Sequence, residues 1–150
     1  MLAMVLKPLH EAAGVRRVVV ATYQPASGAG KEGMDELWSQ TRGIYVNDNP
    51  EAQYFTKQIA FNVIPHIDRF MADGATREEW AMAAEIRKLL DPDIQVSASC
   101  VRVPVMLGLG MALNIAFDRP ISERDAREVL RKAPGLSLLD RRDDGGYASP

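Results

Sequence analysis

Apolar and polar positions follow two rhythms along the chain. Between residues 76 and 90, Met82, Ala83, Ile86, Leu89 and Leu90 recur at helical spacing, which predicts a helix with one apolar face. Thr76 and Glu79 precede that face at the spacing of a capping box, where each side chain closes the other's exposed amide. The run DPD at 91–93 ends it. Ser122 and Asp125 predict a second helix start, running to KAPG at 132–135. The strand rhythm is found elsewhere. RRVVVATYQ (16–24) is a β-branched run that reads as a buried strand. IQVSASCVRVPV (94–105) alternates as far as Pro104, and MALNIAFD (111–118) and LSLLD (136–140) are predicted as further strands. MLGLG connects the first two of these as a tight or bulged link. MVLKPLHEAA (4–13) predicts a helix that Pro8 shortens or kinks, and EGMDELWSQT (32–41) a short one with acidic residues in its first turn. QIAFNVIPHI (58–67) fits strand or helix, with Pro65 favouring an extended end. PASGAGK (25–31) reads as a glycine-rich turn, and 42–57 and the tail RRDDGGYASP as irregular. Helices interleave with strands, so the expected architecture is a layer of helices on a mixed sheet, α/β or α+β.

Composition narrows the class. A chain of 150 residues has room for one ordinary core, so a single domain over 1–150 is expected. At 47% hydrophobic and 25% charged it has the balance of a soluble globular protein. A net charge of −2 without a basic stripe argues against a nucleic-acid partner. The apolar start MLAMVL is interrupted by Lys7 and Pro8, and no run is long enough for a membrane span, so no membrane partner is expected. One cysteine, Cys100, permits no internal disulfide and fits a reducing, cytoplasmic setting. His10 and His66 are far apart, so no metal-ligand cluster is expected, and both read as surface or hydrogen-bonded residues.

Three features could carry chemistry. SGAG at 27–30, between a strand and a helix, is either a plain turn or a loop whose bare amides hold an anion. Cys100 lies on a predicted strand face with Arg102 two residues on. A neighbouring cation can activate a thiol, yet a lone strand cysteine also serves as a small hydrophobe. Arg102 stands in an otherwise core-like run, and burying a guanidinium is costly without an anion. Its planar fork suits a carboxylate. That anion is either an acid of the 76–90 helix or a ligand.

Several segments taken together resemble one family: LKPLHEAAGVRRVVVATYQPASGAGKEGMDEL, FTKQIAFNVIPHID, DGATREEW, SASCVRVPV, PISERDAREVLRKAPG and DRRDDGGYASP. They resemble aspartate-semialdehyde dehydrogenase across nearly all 150 residues. The TYQ…SGAG and CVRVPV pieces count against the neighbouring N-acetyl-glutamyl-phosphate reductases. The resemblance implies NADPH-dependent reduction of aspartyl phosphate to aspartate semialdehyde, on the route to lysine, threonine and methionine. It is confined to the substrate-binding and dimerisation domain, which is similar to that of glyceraldehyde-3-phosphate dehydrogenase. The implied fold is therefore α+β, a mixed sheet covered by helices with no Rossmann domain in this chain. The domain is expected to be truncated at both ends relative to the family.

The resemblance also implies roles. Gln24 matches an active-site glutamine that orients the acyl intermediate. Arg102 matches the arginine that grips a substrate carboxylate, and Glu78 a substrate-contacting glutamate. Ser27 and Gly28 fall in the loop that approaches NADP, a cofactor this chain is not expected to bind alone. Cys100 matches a family cysteine that is not the nucleophile. Two positions depart from the family pattern: its phosphate-site lysine is Ala81 here, and its acid–base histidine is Leu109. Leucine cannot transfer a proton, and general acid–base catalysis contributes about 10²–10⁴-fold. The chain is thus expected to be the non-turning-over part of such an enzyme, or an association module derived from one. A different carboxylate binder built on Arg102 is a further alternative. Homodimerisation or self-association is expected, with MLAMVL and MLGLGMAL as the exposed apolar stretches.

Overall fold

A computed structural model describes residues 1–48 and 50–150. Its elements, in chain order, are α1 (Leu2–Ala13), β1 (Val15–Gln24), a 3-10 turn (Ala26–Ala29), α2 (Gly30–Tyr45), α3 (Arg77–Leu89), β2 (Gln95–Arg102), β3 (Gly110–Phe117) and α4 (Glu123–Lys132). The strands form a mixed three-stranded sheet in the order β2-β1-β3. The expected α+β class is what the chain adopts. The Cα positions group into two compact units, Met1–Val20 with Trp80–Ala98 and Leu113–Ser149, and Ala21–Glu79 with Ser99–Ala112 and Pro150.

In the first unit, Leu2, Leu6, Leu9 and Ala13 form the buried stripe of α1, joined in the core by Val15, Val18, Val20, Ile86 and Ile94. The helix continues through Pro8, which deprives the Met4 carbonyl of its usual donor. At its end Gly14 turns the chain with φ +69°, and the Val15 amide donates to His10 Nδ1 at 3.0 Å. α1 lies against α4, and α4 begins as expected, with Ser122 Oγ accepting the Asp125 amide at 3.1 Å. The expected apolar face of α3 is only partly buried: Ile86 is enclosed, whereas Leu89, the last helical residue, is 63% exposed. No strand forms at 136–140; Asp140 makes one isolated bridge to Tyr147 and the segment has no ladder partner.

In the second unit, Ala26, Leu37, Ile59, Ala60 and Ile64 make the core. The ambiguous segment 58–67 is neither helix nor regular strand. Its buried amides at Ile59 and Ala60 instead donate to Gln40 Oε1 at 2.8 and 3.2 Å, which is why a glutamine is fully enclosed in α2. α2 runs past the expected end at 41 and through Gly43. A Cβ there would come within 1.8 Å of the Asp48 carbonyl oxygen, so glycine is required for the chain to fold back on the helix end.

The capping box forms as the spacing predicts. Glu79 Oε2 accepts the Thr76 amide at 2.9 Å and Thr76 Oγ1 accepts the Glu79 amide at 3.4 Å. Glu79 Oε1 also accepts the Cys100 amide at 3.1 Å, which ties the start of α3 to β2. Burial raises the Glu79 pKa, but the amides of Thr76 and Cys100 and the Thr76 hydroxyl outweigh it and hold it below the usual carboxylate value. The stabilisation is therefore present above the unfolded-state pKa and is lost as pH falls through the lower folded-state pKa. Glu79→Gln is expected to lower stability at neutral pH by about 1 kcal/mol. The gap to the unmutated chain should close as pH falls below the ordinary carboxylate range in a series of denaturant melts. A gap that stays constant with pH would refute this role for the charge.

Candidate functional site

The candidate residues meet where β1 and β2 end. Gln24 is the last residue of β1 and Arg102 the last of β2. Pairing continues beyond both: the Val103 amide donates to the Gln24 carbonyl at 2.9 Å, and those of Ala26 and Ser27 to the Val105 and Met106 carbonyls at 2.8 and 3.1 Å. On its other edge Arg102 exchanges both backbone bonds with Ile64, at 2.8 and 2.9 Å. Its backbone is thus held from two sides.

The Arg102 side chain is 7% exposed. Its Nη1 donates to the Pro25 carbonyl at 2.7 Å. Among the described residues no ion pair closes on the guanidinium. Burial pushes its pKa below the usual value, and the neighbouring Glu78 carboxylate opposes that shift without contacting it. The alternative of a direct salt bridge to the 76–90 helix is not realised. With one neutral partner and no carboxylate on it among the described residues, the guanidinium keeps a charge that an anionic ligand would engage.

Glu78, in the first turn of α3, accepts from Gln24 Nε2 at 3.0 Å. The same nitrogen reaches Thr22 Oγ1 at 3.3 Å. Both amide hydrogens of Gln24 are then engaged, which leaves its carbonyl oxygen free to accept. The site therefore presents a cation, an anion and a neutral acceptor within one group of elements. Thr22, fully buried, was not singled out in the sequence, although it shares a strand face with Gln24 by the period of two. The Pro25 carbonyl left no side-chain signal at all.

The glycine-rich loop is arranged differently from an anion cradle. The amides of Ala26, Ser27, Gly28 and Gly30 donate to the carbonyls of Val105, Met106, Pro25 and Ser27. Committed amides do not cradle a phosphate, so these residues do not fit the phosphates of NADP. Gly28 instead lies against the Arg102 guanidinium.

Cys100 and Arg102 share a buried strand face, as the alternation predicts. The thiol is not activated by that neighbour. Burial raises its pKa, a hydrogen bond with Thr22 partly offsets this, and Glu78 and Glu79 add to the rise. His66 is half-buried and stacks on Phe70 with ring centroids 4.3 Å apart. Its Nε2 is buried with no partner among the described residues. His66 and Arg102 line a cavity of about 250 Å³ with Thr56 and Asp68. Ala81 and Leu109 are both half-buried. Among the described residues no group of three or more His, Cys, Asp or Glu side chains could hold a metal, and no helix is long and apolar enough to cross a membrane.

Residues 6–149 match the family model of the semialdehyde dehydrogenase dimerisation domain. The aspartate-semialdehyde dehydrogenase of Aquifex aeolicus is 45% identical over 147 residues, covering 97% of this chain and 43% of its own length. That of Rickettsia bellii is 42% identical over 149 residues, covering 99% of this chain and 44% of its own. Among solved structures, aspartate semialdehyde dehydrogenase II from Vibrio cholerae complexed with ASA superposes with a TM-score of 0.92 at 41% identity, covering 95% of this chain and 43% of that one. An enzyme from Candida albicans solved with NADP shares the fold at a TM-score of 0.57 and 22% identity, covering 87% of this chain and 32% of that one. The chain spans less than half the length of these relatives.

Two measurements test this arrangement. Replacing even a paired set of buried ions by well-packed apolar side chains is often neutral or stabilising by about 1–4 kcal/mol, and Arg102 has no ion pair among the described residues to lose. Arg102→Met is therefore expected to keep or raise the melting midpoint; a clear fall would mean that the guanidinium is a structural tie. Cys100 should resist iodoacetamide in the folded chain at pH 8 and react fully in urea, and rapid labelling of the native chain would contradict the inert-thiol assignment.

Proposed function

The chain belongs to the semialdehyde dehydrogenase dimerisation-domain family, and we propose that it is the substrate-binding and dimerisation portion of an aspartate-semialdehyde dehydrogenase. The observation that carries this reading is the buried Arg102 guanidinium, held by one carbonyl and no carboxylate. In this role Arg102 grips the α-carboxylate of aspartyl phosphate or aspartate semialdehyde through a two-pronged, charge-assisted contact. Glu78 offers the opposite charge, which suits the ammonium group of the same α-amino acid. Gln24, steered by Glu78 and Thr22, turns its carbonyl oxygen towards the bound acyl chain.

The remaining chemistry is not attributed to these residues. In a whole enzyme NADPH would supply the hydride, and Ser27 and Gly28 would lie in the loop that faces it, with their amides already committed to backbone carbonyls. The sole thiol, Cys100, is enclosed and protonated and serves packing. Leu109 and Ala81 offer neither a transferable proton nor a phosphate-binding cation. The chain by itself therefore binds and does not turn over. Its second task is association with another copy, supported by the dimerisation-domain match and by exposed apolar side chains such as Tyr45, Phe61 and Leu107. Leu2 and Leu6 of the opening stretch are buried in α1 and contribute nothing to that surface, whereas Met1 and Met4 remain exposed.

Calorimetry with aspartate semialdehyde tests the binding role. The wild-type chain is expected to bind, and Arg102→Ala to weaken binding by about tenfold to a hundredfold, the equivalent of one charge-assisted contact. Equal affinity in the two proteins would remove the clamp. Light scattering is expected to find a dimer, and steady NADPH-dependent turnover by the chain alone would overturn its purely binding character.

A further inference from the structure

Gly28 has no backbone reason to be glycine. It sits inside the 3-10 turn Ala26–Ala29, and its φ lies outside the left-handed region that side chains avoid. It is also exposed, so crowding by the core does not exclude a side chain. What does exclude one is a single neighbour. The three heavy atoms nearest to a Cβ at this position all belong to the Arg102 guanidinium: Nη1 at 2.5 Å, Cζ at 3.5 Å and Nη2 at 3.7 Å. A separation of 2.5 Å is far inside contact distance. The turn and the guanidinium also share an acceptor. The Pro25 carbonyl takes the Gly28 amide at 3.2 Å and Arg102 Nη1 at 2.7 Å. Its two lone pairs are thereby both used, and Nη1 occupies the space into which a side chain would project.

We propose that Gly28 is a positioning residue for the arginine clamp: the missing side chain lets the Arg102 guanidinium lie against the 26–29 turn, on the Pro25 carbonyl, in the orientation that receives a ligand carboxylate. The receiving orientation rests on the clamp role given to Arg102 above; the steric dependence of Arg102 on Gly28 does not. A methyl group at position 28 meets only the tip of a flexible side chain, so the fold can yield to it by displacing the guanidinium. The cost falls on the cation's placement and its bond to Pro25.

A double-mutant cycle separates the two parts. Four chains are compared: wild type, Gly28→Ala, Arg102→Ala and the double variant. In ligand-free thermal melts, Gly28→Ala is expected to lower the midpoint in the wild-type background and to leave or raise it in the Arg102→Ala background, where the methyl enters open space and stiffens the unfolded chain. An equal midpoint change in both backgrounds would overturn the steric link. In calorimetry with aspartate semialdehyde, Gly28→Ala is expected to cost at least about tenfold in affinity and to add no further loss to Arg102→Ala. Full affinity in Gly28→Ala, or an equal added loss in both backgrounds, would overturn the positioning role. Absence of binding by the wild-type chain would sink the clamp reading and with it the ligand half of this proposal, while the melts still decide whether Gly28 places Arg102.

Discussion

The structure around the site depends on one buried charge. A guanidinium largely withdrawn from water on one carbonyl keeps its charge without a carboxylate on it among the described residues. Backbone pairing fixes the root of its side chain. Ile64 holds its amide and carbonyl on one edge, and the Val103–Gln24 bond holds the next residue on the other. Two residues upstream, Glu79 fixes the Cys100 amide and thereby the register of β2 against the start of α3. These are backbone constraints, and they leave the guanidinium itself short of a counter-charge. A fixed backbone root and a cation without a carboxylate partner are the two features on which the proposed clamp rests.

The same environment explains why the lone cysteine is inert. Cys100 and Arg102 project from the same face, a geometry that could have produced an activated thiolate. Burial is the main cause that opposes ionisation of the thiol, a hydrogen bond with Thr22 offsets part of it, and the Glu78 and Glu79 carboxylates oppose it further. Adjacency to a cation along a strand does not decide a pKa; the whole environment of the sulfur does. Glu78 thus acts on both neighbours. It favours the charged form of Arg102 and disfavours that of Cys100, so the site keeps its cation and carries no second anion at Cys100.

Much of this arrangement was legible as pattern. The Thr76–Glu79 and Ser122–Asp125 caps were readable because a cap is a local event, satisfied by side chains three residues away. The β-branched run of β1 and the pairing of Cys100 with Arg102 on one face follow from a period of two. The errors have a common cause. LSLLD has strand rhythm but no ladder, because a strand requires a partner that its own sequence cannot supply. α2 was expected to end at 41, yet it continues through Gly43, whose close approach to Asp48 is a contact that helical spacing does not reveal. Leu89 continues the apolar spacing of α3 but lies at its final turn, where spacing no longer guarantees burial.

The helix caps and the layering of helices on a mixed sheet came from residue type and short-range spacing, and Arg102 stood out as a charge in a core-like run; the family, and the expected roles of Gln24 and Glu78, came from the resemblance of whole segments. Leu109 and Ala81, where the family resemblance calls for a histidine and a lysine, were visible there too, since a missing proton donor is a fact of composition. Tertiary structure decided the rest. Among the described residues it left Arg102 without a carboxylate and the His66 Nε2 without a partner, turned the amides of Ala26 and Ser27 towards Val105 and Met106, and brought the 3-10 turn into contact with a guanidinium from another strand. Each of these is a contact, or a missing one, between groups far apart in the chain. Local pattern names the groups, and only the path of the backbone between them sets which ones meet.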